Sequence, residues 1–173
     1  GFVPQKGVLF SGTIASNIKF GDENISDEDM YKAAEIAQAL EFIEGKEDKF
    51  DSEISQGGSN VSGGQKQRLS IARALAKNPK ILLFDDSFSA LDYKTDVTLR
   101  KTLREKMQDT TTIIVAQRIA TILNADKIIV MNEGKVVGIG KHQELLKTCP
   151  TYLEIAESQL SEEELAKGGK HNE

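Results

Sequence analysis

Val61-Ser62-Gly63-Gly64-Gln65 stands where a polar, glycine-rich stretch gives way to one of helical period, and its residue types suit an anion. Two residues without side chains let a ligand approach the backbone, while the free amides of a helix start and the Ser62 hydroxyl donate to phosphate oxygens. A bare Ser-Gly-Gly also serves as a flexible loop that caps a helix and binds nothing. Here the pattern runs on through Lys66-Gln67-Arg68-Leu69-Ser70-Ile71-Ala72-Arg73-Ala74-Leu75. A second candidate is Asp85, which closes the apolar run Ile81-Leu82-Leu83-Phe84. A carboxylate at the carboxyl end of a strand lies where the ligands of α/β sheets gather, and it can hold Mg²⁺, usually through water. The alternative for Asp85 is a buried carboxylate capping the next turn.

The elements that position these residues follow from the hydrophobic pattern. Short apolar runs with β-branched residues alternate with longer stretches of helical period, which predicts an α/β fold with a mainly parallel sheet and crossover helices. Phe2-Val3 ends a strand, because the residue before Pro4 prefers extended geometry. Ser26 and Asp29 resemble a capping box, opening a helix on which Met30, Ala33, Ala34, Ala37 and Leu40 share one face. From Asp51 to Gly64 the chain is glycine-rich and polar. A helix from Gln65 to Lys77 follows, with Leu69, Ala72, Leu75 and Ala76 buried, and Asn78-Pro79 stops it. After the run that ends at Asp85 come a helix beyond Asp92 and strands at Thr111 to Ala116 and Lys127 to Met131. Asn132-Glu133-Gly134-Lys135 reads as a hairpin turn, and a last helical region starts at His142 and runs to Lys147.

Ser62-Gly63-Gly64-Gln65-Lys66-Gln67-Arg68 resembles the signature motif of ATP-binding cassette (ABC) transporter ATPases. Other segments agree in order and spacing: Val3-Pro4-Gln5 with the family's Q-loop, Ile81 to Asp85 with its Walker B strand, Ser89-Ala90-Leu91-Asp92 with its D-loop, and Ala116-Gln117-Arg118 with its switch region. The resemblance covers Gly1 to Gln159. It implies a P-loop NTPase-like sheet, a helical subdomain over residues 11–77, core strands and C-terminal helices over 78–159, and a charged, flexible tail over 160–173. It further implies ATP and Mg²⁺ as ligands. Ser62, Gly63, Gly64, Gln65 and Asp92 would bind nucleotide, Asp85 and Gln5 the metal, and Gln5, Asp86 and Gln117 would act on the attacking water or the γ-phosphate. Phe10-Ser11-Gly12-Thr13-Ile14 with Asn17-Ile18 looks like the segment after the Q-loop in exporters. Ser52 to Gly58 occupies the place of an exporter loop that contacts membrane domains, although Ser55, Gln56 and Gly57 stand where Gly, Glu and Arg are usual. The resemblance therefore favours an exporter over an importer.

Two positions depart from the family pattern. Asp86 stands where a glutamate usually orients or deprotonates the attacking water; its side chain is one methylene shorter, ~1.5 Å of reach, while a base must come within ~2.6–3.2 Å of its proton. Gln117 stands where histidine is usual, and an amide cannot become a cation. Both departures weaken one nucleotide site, whereas Ser62 to Gln65, which serves the site on the opposite subunit, is intact. This asymmetry resembles the degenerate member of a heterodimeric exporter; neutral drift in a homodimer is the alternative. The phosphate loop G-x-x-x-x-G-K-[ST] is absent from the sequence: Gly-Lys at 45–46, 134–135, 140–141 and 169–170 is followed by Glu, Val, His and His. The expectation is thus an incomplete ATP-binding domain, inactive alone, with a gap or rearrangement between the strands at 112–116 and 127–131. An open apolar sheet edge further predicts self-association of the isolated chain.

Composition narrows the partners. Net charge is −5, with 22 basic and 27 acidic residues, and the acidic excess lies mostly after Glu154, which argues against a nucleic-acid partner. No apolar run approaches the ~20 residues of a membrane-crossing helix, and no secretion signal is visible. One cysteine, Cys149, forms no internal disulfide and has no basic neighbour that would mark a nucleophile; it favours a reducing setting. His142 and His171 are too far apart to suggest a metal site. The expected setting is the cytoplasmic face of the plasma membrane, beside the exporter's transmembrane domain and a second ATP-binding domain. The competing readings are an ABC-type ATPase of DNA repair or translation, and an inert, non-hydrolysing fragment.

Overall fold

In a computed structural model that describes residues 1–161 and 165, the chain divides after Val115 into two units. The first carries strands β1 (Phe2–Val3), β2 (Gly12–Thr13), β3 (Glu53–Ile54), β4 (Ile81–Asp85) and β5 (Thr111–Val115). Its helices are α1 (Ile14–Ile18), α2 (Asp27–Ile36), α3 (Leu40–Glu44), α4 (Gly63–Leu75) and α5 (Tyr93–Lys106). β1, β4 and β5 form a parallel sheet in that order, with Val3 opposite Phe84 and Asp85 opposite Val115. Alternation along β4 sends Leu82 and Phe84 into the core with Val3, Leu99 and Leu103, while Ile81 and Asp85 stay exposed. β2 and β3 pair antiparallel over two residues each, too short for any run to signal them.

The helices follow their caps more closely than their hydrophobic period. Ser26 opens α2, its hydroxyl accepting from the Asp29 amide and donating to the Asp29 carboxylate, so the expected reciprocal box is one-sided. Met30, Ala33 and Ala34 are buried as expected, but α2 ends at Ile36 because Gln38 adopts a left-handed φ of 58°. Leu40 therefore opens α3 instead of completing the face of α2. α4 begins two residues earlier than the expected Gln65, since the cap draws both glycines into its first turn, and it stops at Leu75 rather than Lys77.

The second unit comprises α6 (Ile119–Ile122), β6 (Ile128–Asn132), β7 (Lys135–Gly140), α7 (His142–Thr148) and α8 (Pro150–Gln159). Glu133 and Gly134, with φ of 47° and 75°, make the two-residue turn that joins β6 to β7 as an antiparallel hairpin. Ile128, Val130, Leu145, Cys149, Tyr152 and Ala156 build its core. β5 and β6 belong to separate sheets. The tail expected to be flexible, with His171, lies almost wholly outside the described residues.

Within this core His142 Nδ1 lies 2.8 Å from the Tyr152 hydroxyl, both residues buried, and His142 Nε2 has no partner among the described residues. Burial holds the imidazole below its ordinary 6.5 and pushes the Tyr152 phenol up to about 12. The folded unit thus keeps His142 neutral where the unfolded chain takes up a proton. Its contribution is complete above pH 6.5 and is lost as pH falls below that value. Thermal melts between pH 7.5 and 5.5 are expected to show a falling midpoint that His142→Gln, which can still hydrogen-bond Tyr152, flattens.

Candidate functional site

Parallel pairing brings the carboxyl ends of β1 and β4 to one edge of the sheet, and two local features gather side chains there. Asp86, just past β4, adopts φ 45°, a conformation that aspartate tolerates better than most residues, and its amide donates to the Val115 carbonyl. That turn carries Ser87 inward, where its fully buried hydroxyl donates to the Val3 carbonyl at 2.8 Å and pins the end of β1. Gln5 follows two residues later, and its Nε2 donates to Asp86 Oδ2 at 3.1 Å. The result is a cluster of two carboxylates, exposed Asp85 and half-buried Asp86, and one exposed carboxamide. Oxygen-only donors of this kind fit Mg²⁺, which keeps several waters and takes one or two carboxylates together with substrate phosphates. Among the described residues no three His, Cys, Asp or Glu side chains form an all-protein metal cage.

The second cluster is the start of α4. Ser62 Oγ accepts from the Gln65 amide at 3.2 Å, and Gln65 Oε1 accepts from the Ser62 amide at 3.0 Å, a reciprocal capping box. This fixes the first turn and leaves the Ser62 O–H hydrogen and the Gly63 and Gly64 amides directed outward, since first-turn amides have no intrahelical acceptor. Among the described residues nothing requires the glycines: a Cβ on Gly63 would meet none of them within 4 Å, and one on Gly64 only the Ala90 carbonyl at 3.8 Å. Glycine is a poor helix former, so what the pair provides is backbone without side chains at the helix start.

Of the residues singled out in the sequence, Gln5, Asp85 and Asp86 come together at the sheet edge, and Ser62 to Gln65 form the helix start. Asp92 caps α5: both its oxygens accept from Thr95, at 3.0 Å from the amide and 2.7 Å from the hydroxyl. Those bonds hold its carboxyl below the usual range. Gln117 belongs to the second unit, exposed, with its carbonyl accepting from Gln159 Nε2 at 2.8 Å. Sequence reasoning missed Ser87 and Gln67, whose amide lies buried against the Gln5 loop. Gln67 was visible only as a polar residue on the helix face that also carries Ser70, Ile71 and Ala74.

A parallel sheet with carboxylates at its carboxyl edge, joined through a helical segment to a glycine-opened helix, defines an α/β nucleotide-binding-domain architecture. Residues 1–89 match the model of the ABC transporter family, and the chain belongs to that family. It is 46% identical over 162 residues to an uncharacterized ABC transporter ATP-binding protein of Mycobacterium bovis, covering 92% of this chain and 28% of that protein. It is 40% identical over 162 residues to a multidrug resistance ABC transporter ATP-binding and permease protein of Lactococcus lactis subsp. cremoris, covering 93% and 28%. The structure of a bacterial Atm1-family ABC exporter with ATP bound superposes with a TM-score of 0.88 at 40% identity, over 94% of this chain and 29% of that one. The chain thus spans little more than a quarter of the proteins it matches.

Proposed function

We propose that this chain is the signature-bearing part of the ATP-binding domain of an ABC exporter, one that couples ATP binding and hydrolysis to transport across a membrane. The observation that carries this reading is the Gly63-Gly64 pair, which the fold itself does not need and which a phosphate group does. In this reading the Ser62 hydroxyl and the two glycine amides hold phosphate oxygens of a nucleotide bound by a second ATP-binding domain, whose own G-x-x-x-x-G-K-[ST] loop holds it from the other side. Gln65 fixes the hydroxyl through the capping box, and Asp92, exposed on the D-loop, lines the same nucleotide interface.

At the chain's own site Asp85 and the Gln5 carboxamide would hold Mg²⁺, which would supply positive charge to the phosphate oxygens of ATP. Asp86 takes the place of the water-orienting group in weakened form, so this site retains ATP and turns it over slowly. The pair is then asymmetric, with efficient hydrolysis at the site that Ser62 completes. Export is supported by the named functions of the Lactococcus relative and of the Atm1-family structure. No described helix is long and apolar enough to cross a membrane, and the proposed position is at the cytoplasmic face, against the exporter's transmembrane domain.

The test is nucleotide titration of the transporter that carries this chain, with and without Mg²⁺. Two sites are expected, and Asp85→Ala is expected to remove the Mg²⁺ enhancement at one of them, weakening it by about 10–100-fold, the worth of a charged ligand. Unchanged Mg²⁺ dependence at both sites would overturn the assignment.

A further inference from the structure

Gln67 is a neutral amide, 1% exposed, on the inner face of α4. Its Nε2 donates to the Pro4 carbonyl at 3.0 Å and its Oε1 accepts from the Gly7 amide at 2.8 Å. Those two backbone groups bracket Gln5 and Lys6. The backbone at Gly7 also lies directly on α4: a Cβ there would sit 2.8 Å from both the Lys66 carbonyl and Ser70 Oγ, so only glycine permits the approach. Further along the helix Arg73 repeats the pattern, Nη1 donating to the Val8 carbonyl at 2.8 Å and Nε to the Asn17 carbonyl at 2.7 Å. The loop's other side is fixed by Ser87 on Val3 and by Gln5 on Asp86.

We propose that Gln67 is a positioning residue that fastens the Gln5 loop to α4, so that the carboxylate cluster and the Ser62 helix start respond to each other. Gln67 stands five residues after Ser62 on one continuous helix, about 7.5 Å along its axis. A shift of Gln5 that carries Pro4 and Gly7 with it therefore moves the end of a rigid rod. The two arrangements required for such coupling are the loop docked on Gln67 and the loop released to water. An apolar residue would fill the same space but leave the half-buried Pro4 carbonyl and Gly7 amide unpaired. The inference rests on the reading of both clusters as nucleotide sites.

The test uses the transporter that carries this chain. Gln67→Met keeps the length of the side chain and removes both hydrogen bonds; Gly7→Ala breaks the same contact from the loop side and replaces it if the first variant does not fold. Ile71→Val, a buried apolar change on the same helix, controls for lost stability. Native-state hydrogen exchange at the Gly7 amide is expected to quicken about tenfold in Gln67→Met, with no such change in Ile71→Val. In a cycle with Gln5→Ala, hydrolysis at the site completed by Ser62 is expected to be non-additive with Gln67→Met by about 2- to 30-fold and additive with Ile71→Val. Unaltered exchange at Gly7, or additivity in both cycles, would overturn the role of Gln67. Should Ser62→Asp leave hydrolysis intact, the nucleotide reading itself fails instead.

Discussion

Ser62→Asp in the transporter carrying this chain is expected to lower ATP hydrolysis by about 10²–10³-fold while leaving thermal stability at or above that of the parent. The two effects separate because the proposed function gives Ser62 a second task beside its cap. As the cap of α4 its oxygen accepts from the Gln65 amide, a task aspartate performs as well as serine. Its negative charge beside the helix start is also favourable to the isolated helix. As a phosphate donor, however, the hydroxyl hydrogen is lost and replaced by an anion facing the anion to be bound. Removing one preorganised donor from a site of developing charge costs about 10²–10³ in rate. Ser62→Ala gives the complementary result, a loss of about 1 kcal/mol from the missing cap with a smaller loss of activity. Steady-state phosphate release and thermal melts on the same preparations check both. A merely structural Ser62 would reverse the ranking, with Ala the more damaging change.

The legible part of the fold was the part encoded locally. β4 was readable as a continuous apolar run and α4 from the period of Leu69, Ala72 and Leu75, whereas the Ser62 cap that starts α4 two residues before Gln65 was not read. What was not legible depends on backbone conformations that no short pattern announces. Gln38 ends α2 through a left-handed φ, which moved Leu40 into a new helix. Ser87 and Gln67 look like ordinary polar residues in sequence, and their meaning comes from carbonyls more than sixty positions away, Val3 and Pro4. The proximity of Gln5 to Asp86 likewise depends on the parallel register of β1 on β4, which pairs a two-residue strand with a partner nearly eighty residues later.

Asp86→Glu is expected to raise hydrolysis at the chain's own site by about 100-fold, the scale on which an ångström of misplacement acts. In the Ser62→Asp background the opposite site is silenced, so residual phosphate release reports this site directly. The structure shows why the gain carries a cost. Asp86 holds a left-handed φ of 45°, where the short polar side chain of aspartate is better tolerated than that of glutamate. The longer residue is expected to cost on the order of 1 kcal/mol, a fall of about 2–4 °C in midpoint for a domain of this size. Glutamate would also carry its carboxylate past Gln5 Nε2, which lies 3.1 Å from Asp86 Oδ2. The Gln5 amide would thus be released from that hydrogen bond, and the base would gain the reach aspartate lacks. Greater activity with lower stability is the signature expected of a reach-limited base. An unchanged rate with the same loss of stability would show that the methylene is not what limits the site.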